Sequence, residues 1–357
     1  MNPLDTIQTA VRTIPPLRSR LMDEASTRQG QLTKPAGALG RLEALSIQLA
    51  GITGRLDPRF THKRVIVCAG DHGVASEGVS AYLAEVTSQM VLNFLAGGAA
   101  INVLARRVGA DVTVVDLGVA AALPAHPNLV AAKIAFGTQN MAQGPAMARD
   151  QALQAIATGI NVVNDLANRG KLDLVVLGEM GIANTTPAAA IGAAITGQPP
   201  AEITGRGTGV DDAGLARKIA VIERALAVNR PDPTDAIDVL AKVGGFEIGG
   251  LAGICLGAAA RRIPVLVDGF ITTSAALIAV TLAPAVKPYL VSAHRSQERG
   301  HRVILHSLGL LPLLDLDLRL GEGTGGALAI PLVEAAVAIL NEMATFDSAG
   351  VSQKAEN

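Results

Sequence analysis

Tryptophan is absent from this chain of 357 residues, and only six phenylalanines and two tyrosines stand in for the other aromatics. A core of that size must therefore be built from Ala, Val, Leu and Ile packed against many glycines. Only two cysteines occur, Cys68 and Cys255, each in an apolar stretch. That excludes a disulfide scaffold and points to a reducing compartment. Neither sign of charge prevails: 30 basic residues face 31 acidic ones, so no electrostatic footprint for nucleic acid or an anionic membrane exists. No run of eighteen apolar residues is free of a charge, a Gly cluster or a proline, and the best stretches, 248–260 and 274–286, are too short to span a bilayer. The opening MNPLDTIQTAVRTIPP contains an acid and no apolar h-region, unlike a secretory signal. The expected compartment is the cytoplasm.

What the chain does contain is one repeated grammar. A short β-branched apolar run meets a Gly/Asp turn and then an Ala-rich helix. The runs are 64–69 (RVIVCA), 111–117 (DVTVVDL), 172–177 (LDLVVL), 264–267 (PVLV) and 288–291 (PYLV). Continuous apolar strands alternating with helices predict a doubly wound, mainly parallel α/β sheet with helices on both faces. Residues 1–55 and a helix at 325–345 have helical periodicity, which predicts a small helical subdomain of residues 1–55 with 325–357 beside a large α/β substrate-binding domain of residues 56–324. The tail 347–357 is expected to fray.

Ligands in such sheets gather beyond the carboxyl ends of the strands. Asp71 with His72, Asp116, Glu179, Asp268, and Ser292 with His294 stand at those ends. GEMGIANTTPAAAIGAAITG, 178–197, is the richest stretch. Gly178 and Gly181 permit a sharp turn; Thr185 or Thr186 can cap the next helix; Pro187 suits its first turn. The free N–H groups at 184–187 would suit a phosphate, although an ordinary well-capped turn looks the same in sequence. TGRGTGV, 204–210, containing Gly205, is neither a Walker motif nor a dinucleotide fingerprint. It is either a loop over a ligand or a flexible connection. Lys218 on the following helix is a phosphate ligand or a solvated lysine. His72 is a base, a metal ligand or a structural histidine. The six histidines lack metal-ligand spacing and no GxSxG occurs, so neither a metal site nor a serine hydrolase is supported. Glu322, in LRLGEGTGG just after Leu320, would have a raised proton affinity if leucines desolvate it, which suits a general base. A helix-capping acid, or a partner for Arg319, would have the same sequence.

Six stretches taken in order identify a likeness: KPAGALGRLE (34–43), CAGDHGV (68–74), GEMGIANTTPAAA (178–190), KVGGFEIGGLAG (242–253), VDGFITTSAAL (267–277) and RLGEGTGGALA (319–329). Over almost its whole length the chain resembles the nicotinate-nucleotide:dimethylbenzimidazole phosphoribosyltransferases, which serve lower-ligand assembly in cobalamin synthesis. The resemblance implies transfer of 5-phosphoribose from nicotinate mononucleotide to 5,6-dimethylbenzimidazole, with inversion at C1′. It implies Glu322 as general base, Glu179 and Asp268 in the active site, and Lys218 and Ser296 on the nucleotide phosphate. Gly181, Asn184, Thr185, Thr186, Gly205 and Leu320 are expected to face substrate. It implies a homodimer, two small-molecule substrates, and neither metal nor cofactor. Some members have Ser-Pro where this chain has Tyr82-Leu83, beside the base pocket. That pocket must grip its guest mainly by aliphatic contact, with Tyr82, Met90 and Phe94 as the candidates for exceptions. Two rivals stand beside this reading. An NAD-dependent oxidoreductase would need GxGxxG where the first turn reads GDHGV, and a non-catalytic nucleotide binder would release no nicotinate.

Overall fold

The computed structural model describes residues 2–352. Six parallel strands, β1 (Lys63–Gly70), β2 (Ala110–Gly118), β3 (Leu129–Ala131), β4 (Leu174–Met180), β5 (Val265–Val267) and β6 (Leu290–Ser292), form one sheet in the order β3-β2-β1-β4-β5-β6. The five expected strands are present. β3 was missed because three residues at a sheet edge give no periodic signal.

The helices in chain order are α1 (Pro3–Thr13), α2 (Ser19–Gln31), α3 (Arg41–Thr53), α4 (Val86–Ala96), α5 (Ala100–Arg107), α6 (Arg149–Asn168), α7 (Thr185–Thr196), α8 (Pro200–Ile203), α9 (Asp212–Asn229), α10 (Ala236–Val243), α11 (Phe246–Ala260), α12 (Phe270–Leu282), α13 (Arg299–Leu308), α14 (Thr324–Glu342) and α15 (Phe346–Ala349). One apolar layer packs Ile66, Cys68, Val175 and Leu177 of the sheet with α1, α6, α11 and α12; the other packs Val65, Val67, Leu174 and Val176 with α3, α4, α5 and α14. The chain ends meet where Ala25, Ala50 and Leu340 cluster and Arg28 Nη2 donates to Asn341 O. The tail expected to fray includes α15 at 347–349, and 353–357 lie outside the described residues.

Two stretches, Val86–Arg107 and Thr324–Glu342, reach the length and mean hydropathy of a membrane crossing, yet both contain the interruptions expected from the sequence: Gly97, Gly98, Arg106 and Arg107 in the first, Gly325, Gly326, Pro331 and Glu334 in the second. The first is α4 and α5, broken at Gly97. The second is α14, over half of whose apolar window is buried, with Ala327, Ile330 and Val333 in the layer against the sheet.

With few large side chains, close approach of backbones does the packing. A Cβ on Gly253 of α11 would stand 1.9 Å from Ile156 O of α6, and one on Gly159 1.9 Å from Gly250 O. Gly253→Ala should therefore force the two helices apart and destabilise by about 3 kcal/mol, the upper end for overpacking. Gly30→Ala, where nothing lies within 4 Å, should be neutral or stabilising by ~0.5–1 kcal/mol. Urea midpoints of the two variants check both.

Candidate active site

The strand order reverses direction between β1 and β4, and a cavity of about 440 Å³ lies beyond the carboxyl ends of β4, β5 and β6. Its wall is formed by Glu179–Ile182, Asn184 and Thr185 after β4, Gly269–Thr272 after β5, His294, Ser296 and Glu298 after β6, Arg319–Glu322, Gly207 and Thr208, with Tyr82, Val86 and Met90 across the opening.

Glu322 is held by unusual backbone. Gly321, Glu322 and Gly323 all have left-handed φ, of 85°, 62° and 93°. For Glu322 this conformation is strained, and its neighbours explain it. The carbonyl of Glu322 rests against Gly178 on β4, where a Cβ would be 2.5 Å away. A Cβ on Gly321 would be 2.1 Å from Glu179 Oε1. The glycine spacing is thus what lets this loop lie across β4. The Glu322 side chain is buried to 6% exposure, and its Oε2 accepts the Ile101 N–H at the first turn of α5, 3.2 Å away. It makes no ion pair with Arg319 among the described residues; the acid caps a helix 221 residues away in sequence. Burial raises its pKa, opposed by the Ile101 N–H and reinforced by Asp268.

Glu179 accepts from Asn184 Nδ2, and burial, opposed by that bond, pushes its pKa up to about 8. At neutral pH this carboxyl keeps its proton. Asp268 lies behind the wall, fully buried. Its Oδ2 accepts the Gly323 N–H at 3.2 Å, its Oδ1 the Gly326 N–H at 2.9 Å, and His294 Nε2 is 3.6 Å from Oδ1. Its place is therefore beneath the Glu322 loop, one layer from the cavity. Burial raises its pKa, opposed by His294 and the loop N–H groups.

The stretch expected to bind an anion is built differently from the sequence expectation. Neither Thr185 nor Thr186 caps α7: Asn184 is the N-cap residue, already helical at φ −62° and ψ −22°, and its side chain goes to Glu179. The chain enters α7 from a turn in which Thr186 N–H is taken by Ala183 O, and Pro187 has no N–H, so few free donors remain at 184–187. Thr186 is fully buried and off the wall. The cation is Lys218 of α9, 1% exposed, whose Nζ donates to Thr185 Oγ1 at 2.5 Å. Burial, opposed by Glu298, lowers its pKa to about 8. Ser296 is on the wall and its Oγ accepts the Glu298 N–H. Glu298 Oε1 accepts the Gly207 N–H at 2.9 Å, tying down the 204–210 loop. Gly205 faces Glu298, where a Cβ would be 2.0 Å from Oε2; Gly207 and Thr208 reach the wall in its stead. The far side of the loop is held by Thr208 Oγ1, which accepts the Ala81 N–H at 3.1 Å. His301 Nδ1 accepts the Ser296 N–H, which leaves the proton on Nε2, 2.9 Å from Thr273 Oγ1; burial lowers its pKa to about 3. That neutral ring fixes the segment carrying Ser296.

Tyr82, Met90, Gly181 and Leu320 are on the wall, but Phe94 is in the core at 3% exposure. The aromatic that the sequence reading missed is Phe270, in VDGF, together with Val86, Ile182 and Ile271. His294, expected at a strand end, and Arg319, expected only as a partner for Glu322, both line the wall; Glu298, which the sequence reading did not single out, joins them from just beyond β6. His72 is the structural histidine of its three readings. Its Nε2 is 2.9 Å from Glu247 Oε1, both side chains fully buried. Burial opposes its charge, but the Glu247 carboxylate prevails and raises its pKa.

Sheet order, switch-point cavity and strand-end carboxylates define a doubly wound α/β enzyme with a deep small-molecule site. A family model described as "Phosphoribosyltransferase" matches residues 14–351, and the chain belongs to that family. It is 64% identical over 343 residues to a nicotinate-nucleotide–dimethylbenzimidazole phosphoribosyltransferase of Chloroflexus aggregans, covering 96% of this chain and 97% of that one. It is 62% identical to the protein of the same name from Roseiflexus sp., covering 99% and 100%. Among solved structures it is similar to CobT from Thermus thermophilus, with 48% identity, a TM-score of 0.90, and coverage of 94% and 100%.

Proposed function

We propose that the chain transfers the 5-phosphoribosyl group of nicotinate mononucleotide to 5,6-dimethylbenzimidazole, as the names of its relatives describe for them. The observation that carries this reading is the desolvated Glu322 carboxylate on a cavity wall that is otherwise mostly apolar. One ring nitrogen of the azole attacks C1′. The C1′–N bond to the pyridinium breaks, and its electron pair returns to the leaving ring, which departs as nicotinate. The attacking ring becomes cationic, its N–H acidifies, and Glu322 takes that proton. Attack from the face opposite the leaving ring gives inversion, from β-nucleotide to α-ribazole 5′-phosphate. No acid is required for the departure. Glu179, pushed up to about 8, holds its own proton at neutral pH, so the acceptor role falls to Glu322. Lys218 through Thr185, together with Ser296 and the Gly207 turn, grips the phosphate and sets C1′ in line. The reaction would take place in the cytoplasm, in a homodimer.

The base would lie among Tyr82, Val86, Met90, Ile182, Phe270 and Leu320. Apolar contacts of this kind discriminate weakly: each missing methyl costs about 10–200-fold at most. Benzimidazole and adenine should therefore also be ribosylated, at reduced kcat/KM. A competition assay in which dimethylbenzimidazole alone reacts would refute this. The transfer itself is tested by release of nicotinate from nicotinate mononucleotide that depends on added azole.

A further inference from the structure

Arg319 stands on the cavity wall, exposed, three residues before Glu322. Other basic residues nearby are engaged: Arg295 with Asp315, Arg299 with Glu202, Lys218 with Thr185. Among the described residues Arg319 has no ion pair and no side-chain hydrogen bond. Its segment follows Asp317, another left-handed residue at φ 56°.

The acids and histidine on that wall are Glu179, Glu298, Glu322 and His294. A donor with two anionic ends, the phosphate and the ring carboxylate, would meet like charge there unless each end found a cation. Lys218 serves the phosphate end. Arg319, on a different segment, is the cation without a partner, and its planar fork of N–H donors matches a carboxylate in two-point contact. We propose that Arg319 binds the carboxylate of the nicotinate ring and thereby sets the preference for nicotinate mononucleotide over nicotinamide mononucleotide. The inference rests on the function proposed above. The carboxamide is neutral and offers the guanidinium one acceptor oxygen in place of two charged ones. The same contact would hold the ring while its C1′–N bond breaks, and would serve the departing carboxylate equally.

Arg319→Met keeps most of the apolar stem and removes the charge; Arg319→Lys keeps the charge and removes the fork. With saturating dimethylbenzimidazole, Arg319→Met should lower kcat/KM for nicotinate mononucleotide about tenfold, the loss of one charge-assisted hydrogen-bonded contact. Most of that loss should appear in KM. The value for nicotinamide mononucleotide should stay within about twofold, so the preference collapses, and Arg319→Lys should fall between. Equal losses for both donors would overturn the assignment, because they would make Arg319 a steering charge for the phosphate or a prop for the loop. No loss for either would overturn it as well. Calorimetry with free nicotinate and free nicotinamide gives a second readout that does not need turnover: the unmodified protein should prefer nicotinate and Arg319→Met should not. Absence of that preference in the unmodified protein counts against Arg319. Absence of any azole-dependent nicotinate release counts against the proposed transfer instead.

Discussion

Glu322→Gln should lower kcat roughly a hundredfold or more, the usual loss on removing a general base, while both substrates still bind. The substitution is well suited to the question because glutamine keeps an oxygen to accept the Ile101 N–H. The cap on α5 and the left-handed turn at 321–323 are then undisturbed, and a loss cannot be assigned to collapse of the loop. The pH profile separates the roles further. Glu322 must be ionised to accept a proton, so activity falls as pH drops through its folded pKa. Burial has raised that pKa, so the acid limb of kcat/KM should lie above the ordinary carboxylate range, and it should vanish in Glu322→Gln. Lys218 must be charged to hold phosphate, and its pKa is lowered to about 8. Glu179 loses its proton near the same pH, about 8, adding a negative charge to the cavity. Both changes lower activity as pH rises, so one alkaline limb near 8 belongs to the pair jointly. That limb should persist in Glu322→Gln. A fully active variant would remove Glu322 from the chemistry, and an acid limb that survives would assign the titration to another group.

The sheet was legible because five of its strands are continuous β-branched runs ending in Gly or Asp, and a strand buried on both faces leaves that mark whatever surrounds it. β3 left none. Glu322 was legible as an oddity, an acid between glycines, but not as the cap of α5. That contact joins residues 221 apart and depends on how α14 and α5 lie side by side on one face of the sheet. The expected threonine cap of α7 failed for a local reason. The left-handed turn at Ala183 starts the helix early, so Asn184 takes the cap position and its amide is drawn to Glu179. Lys218 shows the limit of composition: a lysine on an amphipathic helix reads as solvated, and only the packing of α9 against α7 buries it beside Thr185. Gly205 and Gly207 are indistinguishable in TGRGTGV; only the fold sets Gly205 against Glu298 and Gly207 beside Thr185 and Lys218 on the cavity side.

Asp268→Asn should lower kcat by about a hundredfold through misplacement of Glu322, with little change in KM for the nucleotide. The carboxylate accepts two N–H groups from the loop, Gly323 at 3.2 Å and Gly326 at 2.9 Å. Asparagine has one acceptor oxygen, so one of these N–H groups would face an NH₂ donor. The oxygen should go to Gly326, the shorter bond, which leaves Gly323 released beside a strained Glu322 at φ 62°. Strain of that kind persists only when its surroundings hold it, and a displacement of about 1 Å in a reacting group costs on the order of a hundredfold. The proposed phosphate grip, at Thr185, Ser296 and Gly207, is built from other elements, so donor binding should survive. The buried unpaired N–H should also cost about 1–3 kcal/mol of stability, measurable by urea unfolding. The acid limb distinguishes positioning from direct catalysis. If Asp268 only holds the loop, Glu322 still titrates in Asp268→Asn and the acid limb remains at reduced amplitude. If Asp268 were itself the base, the limb would disappear there and survive in Glu322→Gln, and the two carboxylates would exchange the roles assigned to them.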